Sequence, residues 1–175
     1  MEIISVLNNL FQQYVKECSD FLGFSVIENL PRIVVSEEIH PENPRDYGVE
    51  YVGGAIKIIA DSELYEAILR REAFWLLMPY SARFVVETKD LAWEYARLKI
   101  DDTKRETWNK LWEKVARPKV VDKIKYYPTF SYPIFSKLTK GNFIRDIVTR
   151  LYDYEKYQVQ LTTKMYLELL EEYMV

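Results

Sequence analysis

The hydrophobic pattern changes period along this chain, and that change excludes both an all-helical and an all-strand fold. Between residues 3 and 22, Ile3, Val6, Leu7, Leu10, Phe11, Tyr14, Val15 and Cys18 recur at helical spacing. Such a stripe marks a helix with one buried face. From Phe24 to Ala60 the helical period is lost and short β-branched runs replace it, at Phe24–Ile27, Arg32–Ser36, Val49–Val52 and Ala55–Ala60. Pro31, the acidic proline-bearing stretch over 37–46 and the Gly53–Gly54 pair separate them. Two β-branched runs joined by Gly-Gly read as a hairpin, so about four strands in a small, mostly antiparallel sheet are expected.

The helical period then returns. Asp61 or Ser62 can cap a helix that runs through Leu64, Ile68, Leu69, Trp75 and Leu76 to Pro79, and a shorter helix follows around Asp90–Leu98. Thr103 and Glu106 have capping-box spacing before a helix that carries Trp108, Leu111, Trp112 and Val115 on one face. Residues 118–141 contain Pro118, Pro128 and Pro133 and no helical period, so a strand over Val120–Tyr127 and an extended aromatic loop are expected. From Asn142 onward neither proline nor glycine interrupts Ile144, Ile147, Leu151, Tyr154, Leu161 and Met165. That run predicts one C-terminal helix of about 30 residues. The chain thus reads as α+β, with a core domain over 1–141 and a long helix over 142–175. A helix that long overruns a domain of this size and is a candidate dimerisation element, although Gln158 and Glu172 break its heptad seam.

With 175 residues, 49% of them hydrophobic, the chain can fill one full core without staples. Its single cysteine, Cys18, sits in the apolar stripe of the first helix and reads as a small buried hydrophobe. The N-terminus carries no basic leader, and no apolar run approaches the roughly 20 residues of a membrane span, so a soluble cytoplasmic protein with no membrane partner is expected. Abundant charge, 14 tyrosines and few Asn, Gln, Cys and His match the balance of proteins from hot environments.

Most familiar chemistries lack their side chains. The one histidine, His40, stands among Glu38, Glu42 and Asp46 in a stretch that reads as a solvated acidic loop, since transition-metal sites need several soft or imidazole donors. There is no phosphate loop, no Gly-x-Ser-x-Gly elbow and no Cys-x-x-Cys. No catalytic residue, metal ligand or cofactor is assigned, and a binding role is expected.

Charge is distributed unevenly. Net charge is −8 over residues 1–102, +8 over 103–150 and −3 over 151–175. The basic segment interleaves cations with aromatic rings, as single-stranded nucleic acid requires: bases stack on rings while Lys and Arg neutralise phosphates. The candidate nucleic-acid-binding residues are Lys104, Arg105, Lys110, Lys114, Lys119, Lys123, Lys125, Tyr126, Tyr127, Phe130, Tyr132, Lys137, Lys140 and Arg145. Trp108 and Trp112, one turn apart beside Leu111 and Val115, read as core instead.

Two resemblances bear on function. The basic aromatic segment followed by a long C-terminal helix resembles archaeal ThermoDBP-type single-stranded DNA-binding proteins. That resemblance implies a small α+β core, a basic-rimmed apolar cleft and a helical dimerisation region. The segment Leu69-Arg70-Arg71-Glu72-Ala73-Phe74-Trp75-Leu76-Leu77, following a strand hairpin, resembles the zinc-binding helix of metallopeptidases with a His-Glu-x-x-His motif. Arg71 and Trp75 stand where that family has its metal ligands and only Glu72 matches, which implies a scaffold without peptidase activity. Sequence-tolerant binding of single-stranded DNA, more than RNA, is the leading expectation. A non-enzymatic protein-interaction or scaffold subunit and an inactive metallopeptidase-like protein are the alternatives.

Overall fold

A computed structural model describes residues 2–25, 29–59, 63–116, 120–121, 124–125 and 143–173. The first helix, α1 (Glu2–Leu22), forms where the apolar stripe predicts it, and Leu7, Phe11, Val15 and Cys18 are buried along its inner face. Strands β1 (Arg32–Ser36), β2 (Val49–Val52) and β3 (Ala55–Ile59) form one sheet in the order β1-β3-β2. The Gly53–Gly54 turn, with both residues at positive φ, folds β2 back antiparallel to β3, and this places β3 centrally and parallel to β1. The sheet is therefore mixed and three-stranded, where a mostly antiparallel sheet of about four strands was expected.

Phe24 and Ser25 do not continue as a strand. The Phe24 amide donates to the Ser19 carbonyl at 2.9 Å to close α1, and its ring packs edge-on against Tyr152. The outer edge of β1 is covered by a side chain. Asn8 of α1 both donates to and accepts from the Ile33 backbone at 2.9 Å, as a neighbouring strand would.

Helix α2 (Tyr65–Leu76) packs across α1 and α3 (Lys89–Lys99), and two short 3-10 turns, Tyr80–Phe84 and Val86–Thr88, carry the chain between α2 and α3. Helix α4 (Asp102–Val115) starts one residue before Thr103, with Asp101 at the cap position and no side-chain cap bond, so the expected capping box does not form. The expected cap residues Asp61 and Ser62 of α2 lie outside the described residues. Beyond α4, β4 (Val120–Val121) and β5 (Ile124–Lys125) make a two-residue antiparallel ladder in place of the single strand expected there.

The long C-terminal helix is two helices, α5 (Phe143–Lys156) and α6 (Thr163–Glu171). Gln158 adopts φ 56°, Val159 N–H donates back to the Tyr154 carbonyl at 2.8 Å and Gln158 N–H to that of Glu155 at 3.1 Å. That pair of bonds is the Schellman stop, built here without glycine. Thr162 then caps α6 by accepting from the Met165 amide at 3.2 Å. An Arg150–Glu172 ion pair links the first of them to the end of the second, and Ile144, Ile147, Tyr166 and Leu170 enter the same core as α1–α4. No long rod protrudes, so the reason for expecting a dimer through it is gone. Among the described residues no helix is long and apolar enough to cross a membrane.

Candidate functional site: a cleft beside a buried ion cluster

Three cation-then-acid doublets, Arg45–Asp46, Arg71–Glu72 and Lys89–Asp90, converge under the sheet edge. Asn43 accepts from the Arg45 amide and fixes the 3-10 turn Pro44–Asp46, which holds the first doublet. Gly48, at φ +85°, lets the following backbone press against α2, since a Cβ there would stand 2.6 Å from Ile68 Cδ1. That close approach brings the Tyr47 carbonyl within 2.8 Å of Arg71 Nη2. The second doublet lies on α2 and the third opens α3.

Glu72 is 2% exposed and both its oxygens are engaged. Lys89 Nζ stands 3.2 Å from Oε1 and 3.1 Å from Oε2, Arg71 Nε donates to Oε2 at 2.7 Å, and the Tyr51 hydroxyl donates to Oε1. Lys89 also donates to the Tyr51 oxygen at 2.6 Å and pairs with Asp46. The third acid, Asp90, faces Arg45 at 3.3 Å and accepts from Trp112 Nε1 at 2.8 Å. Three cations thus answer three acids.

Arg71, Glu72, Lys89 and Asp90 are buried, and their protonation follows. Burial pushes the Glu72 carboxyl up to about 7 against the pull of Lys89, and burial likewise pushes Asp90 up to about 7 against Arg45. Burial lowers Arg71 to about 9 and lowers Lys89 as well. Trp93 walls the cluster off from the far side. The Arg71 guanidinium stands 4.8 Å from the Trp93 ring, which stacks on Trp108 at 4.2 Å and 26°, while Trp93 Nε1 donates to the Arg45 carbonyl at 3.0 Å.

On the near side the cluster meets a cleft of about 260 Å³ between the β2–β3 turn and the C-terminal half of α2. Tyr51 and Glu72 border it, Ala55, Ile56 and Trp75 give it apolar walls, and Arg83 from the turn after α2 completes it. Trp75 and Arg83 are half-buried, so the cleft is open to entering groups. No family model, curated protein or solved structure matches this chain.

The residues expected to bind nucleic acid are only partly placed. Lys104 lies 3.9 Å from Glu66, Lys110 pairs with Glu106 at 3.1 Å, and Lys114 is exposed on α4. Arg105 pairs with Asp102 and donates to the Arg97 and Ile100 carbonyls at 2.9 and 2.8 Å, so it closes the end of α3. Arg145 is exposed on α5, its guanidinium lying over Gly23. Lys119, Lys123, Tyr126, Tyr127, Phe130, Tyr132, Lys137 and Lys140 lie outside the described residues, and of Lys125 only the backbone in β5 is described. Trp108 and Trp112 are fully buried, as their stripe predicts.

His40 is exposed, 3.2 Å from Glu38, and among the described residues no group of three His, Cys, Asp or Glu is placed to hold a metal ion. Glu72, the residue that matches the metallopeptidase motif, borders the cleft, as does Trp75, which stands at one of that motif's ligand positions. Asp46 stood out only as an acid near His40, and Tyr51, Lys89, Asp90 and Arg83 carried no pattern of their own.

Proposed function

We propose that this chain acts by binding a small ligand, or one side chain of a larger one, in the cleft beside Glu72, without performing chemistry on it. The observation that carries this reading is the engagement of both Glu72 oxygens by Arg71, Lys89 and Tyr51. A general base must present a free oxygen to the proton it abstracts. Glu72 instead serves as a rigid wall, held by partners that keep the cleft's shape fixed. Apolar sides with a few convergent polar groups suit a binding pocket, and its volume lies just under the roughly 300–1,000 Å³ of sites for drug-sized molecules.

Proton–nitrogen NMR with small aromatic fragments tests this. Perturbations are expected to gather at the Trp75 indole N–H and the amides of Tyr51, Ala55 and Ile56. Perturbations confined to the exposed Tyr80–Phe84 ring pair, or none at all, would remove the cleft from consideration.

A second reading, sequence-tolerant binding of single-stranded DNA, is favoured by the +8 charge of residues 103–150 and by Lys110 and Lys114 on the outward face of α4. For a labelled 25-nucleotide strand, this reading expects affinity to fall at least tenfold between 50 and 200 mM salt as counterions are released. Salt-independent binding, or none at 50 mM, would count against it.

A further inference from the structure

The two charged side chains that line the cleft are not equivalent. Glu72 is answered by Arg71 and Lys89 at ion-pair distance. Arg83 has no carboxylate at that distance among the described residues. Its Nη2 donates to the Leu76 and Met78 carbonyls at 2.7 and 3.1 Å, which fixes the guanidinium at the end of α2. Its Nε is buried and has no hydrogen-bond partner among the described residues. The groups that act on it electrostatically are the Tyr152 and Tyr80 phenols and Glu155, and the Glu155 carboxylate is already used by the Ser81 amide at 3.1 Å. The cation that lines the cleft is thus held in place by backbone carbonyls and its charge is not matched there by a carboxylate of the described residues.

Resting on the cleft-binding reading above, we infer that the ligand is an organic carboxylate with a compact apolar body, its carboxylate paired with Arg83 and its body against Ala55, Ile56 and Trp75. Nη1, which bonds to none of the described residues, can donate to a carboxylate oxygen, and the opposite charge strengthens that bond. The roughly 260 Å³ of the cleft admits one aromatic or branched aliphatic group and no more. Two sources offer this chemistry: a free small acid, and the C-terminus of a polypeptide ending in an apolar residue.

Fluorine NMR titration with 4-fluorophenylacetate, its neutral amide, and a tripeptide ending in 4-fluorophenylalanine with a free carboxylate, with proton–nitrogen spectra recorded at each step to read the Trp75 indole, tests the inference. The acid is expected to bind the intact chain at least tenfold more tightly than the amide. Arg83→Gln should erase that preference, whereas Arg83→Lys, which keeps the charge, should retain part of it. The Lys variant also guards against loss of fold, because either variant weakens the bonds to Leu76 and Met78. Tripeptide binding as tight as the free acid, or tighter, points to a chain terminus as the source; weaker binding points to the free acid. Equal binding of acid and amide at the Trp75 indole would overturn the carboxylate preference and leave the cleft reading standing. A preference that survives Arg83→Gln would overturn the role of Arg83. Failure of all three probes to move the Trp75 indole would overturn both.

Discussion

Lys89→Ala is expected to destabilise the protein by about 3 to 5 kcal/mol, the cost of leaving buried charge without its partner. Lys89 joins Asp46, Glu72 and Tyr51, and its own side chain is 3% exposed, so water cannot replace the lost ammonium without opening the sheet edge. The effect belongs to the imbalance more than to the ion pair itself. Removing charge on both sides, as in Glu72→Gln with Lys89→Met, should therefore recover most of the loss, because a neutral pair of similar volume needs no desolvation to be overcome. Urea unfolding of the single and double variants measures this. A single-variant loss under about 1 kcal/mol would mean that the cluster is hydrated like a surface pair.

Trp93→Ala should cost about as much, on the order of 3 to 5 kcal/mol, through a different cause. The indole is fully buried, stacks on Trp108, lies parallel to Trp112 and covers the Arg71 guanidinium. Truncation leaves a cavity in the centre of the α2–α3–α4 contact and uncovers the back of the ion cluster. Trp93→Phe keeps most of the apolar contact and loses chiefly the hydrogen bond to the Arg45 carbonyl, so it should cost about 1 to 3 kcal/mol. Thermal unfolding of the two variants separates packing from the polar contact, and equal losses would show that the indole N–H dominates.

The periodic elements of this fold were legible because each buries one face. The stripe from Ile3 to Cys18 predicts α1, and Trp108 with Trp112 predicts the inward face of α4. What escaped was decided by contacts distant in sequence. The Gly53–Gly54 turn specifies the β2–β3 hairpin, yet nothing local says that β3 also takes β1 as a parallel neighbour. The break at Gln158 was hidden because a residue other than glycine occupies the left-handed position, although Thr162 offered a cap signal four residues on. Within the site, Glu72 was legible through its motif-like setting and its partners were not. The doublets Arg45–Asp46, Arg71–Glu72 and Lys89–Asp90 are the only local trace of the cluster, and Lys16–Glu17, Arg105–Glu106 and Arg145–Asp146 repeat the same pattern elsewhere. Opposite charges adjacent in sequence select a cluster only once folding has buried them.

The raised values of Glu72 and Asp90 also set how stability follows pH. Unfolded, these carboxyls return to ordinary values of 4.5 and 3.8, so between those values and about 7 the folded chain holds protons that the unfolded chain has released. Their contribution therefore favours folding most below about pH 4, is lost as pH rises through 7, and changes no further above that. Burial of the engaged Glu72 carboxyl underlies its part as a fixed wall of the cleft, and carbon-13 titration of that side-chain carboxyl reads it directly. A midpoint near 7 is the expected result, for a carboxyl buried among Arg71, Lys89 and Tyr51. A midpoint near 4.5 would show water at the carboxylate and would contradict the buried ion cluster that gives the cleft its fixed wall.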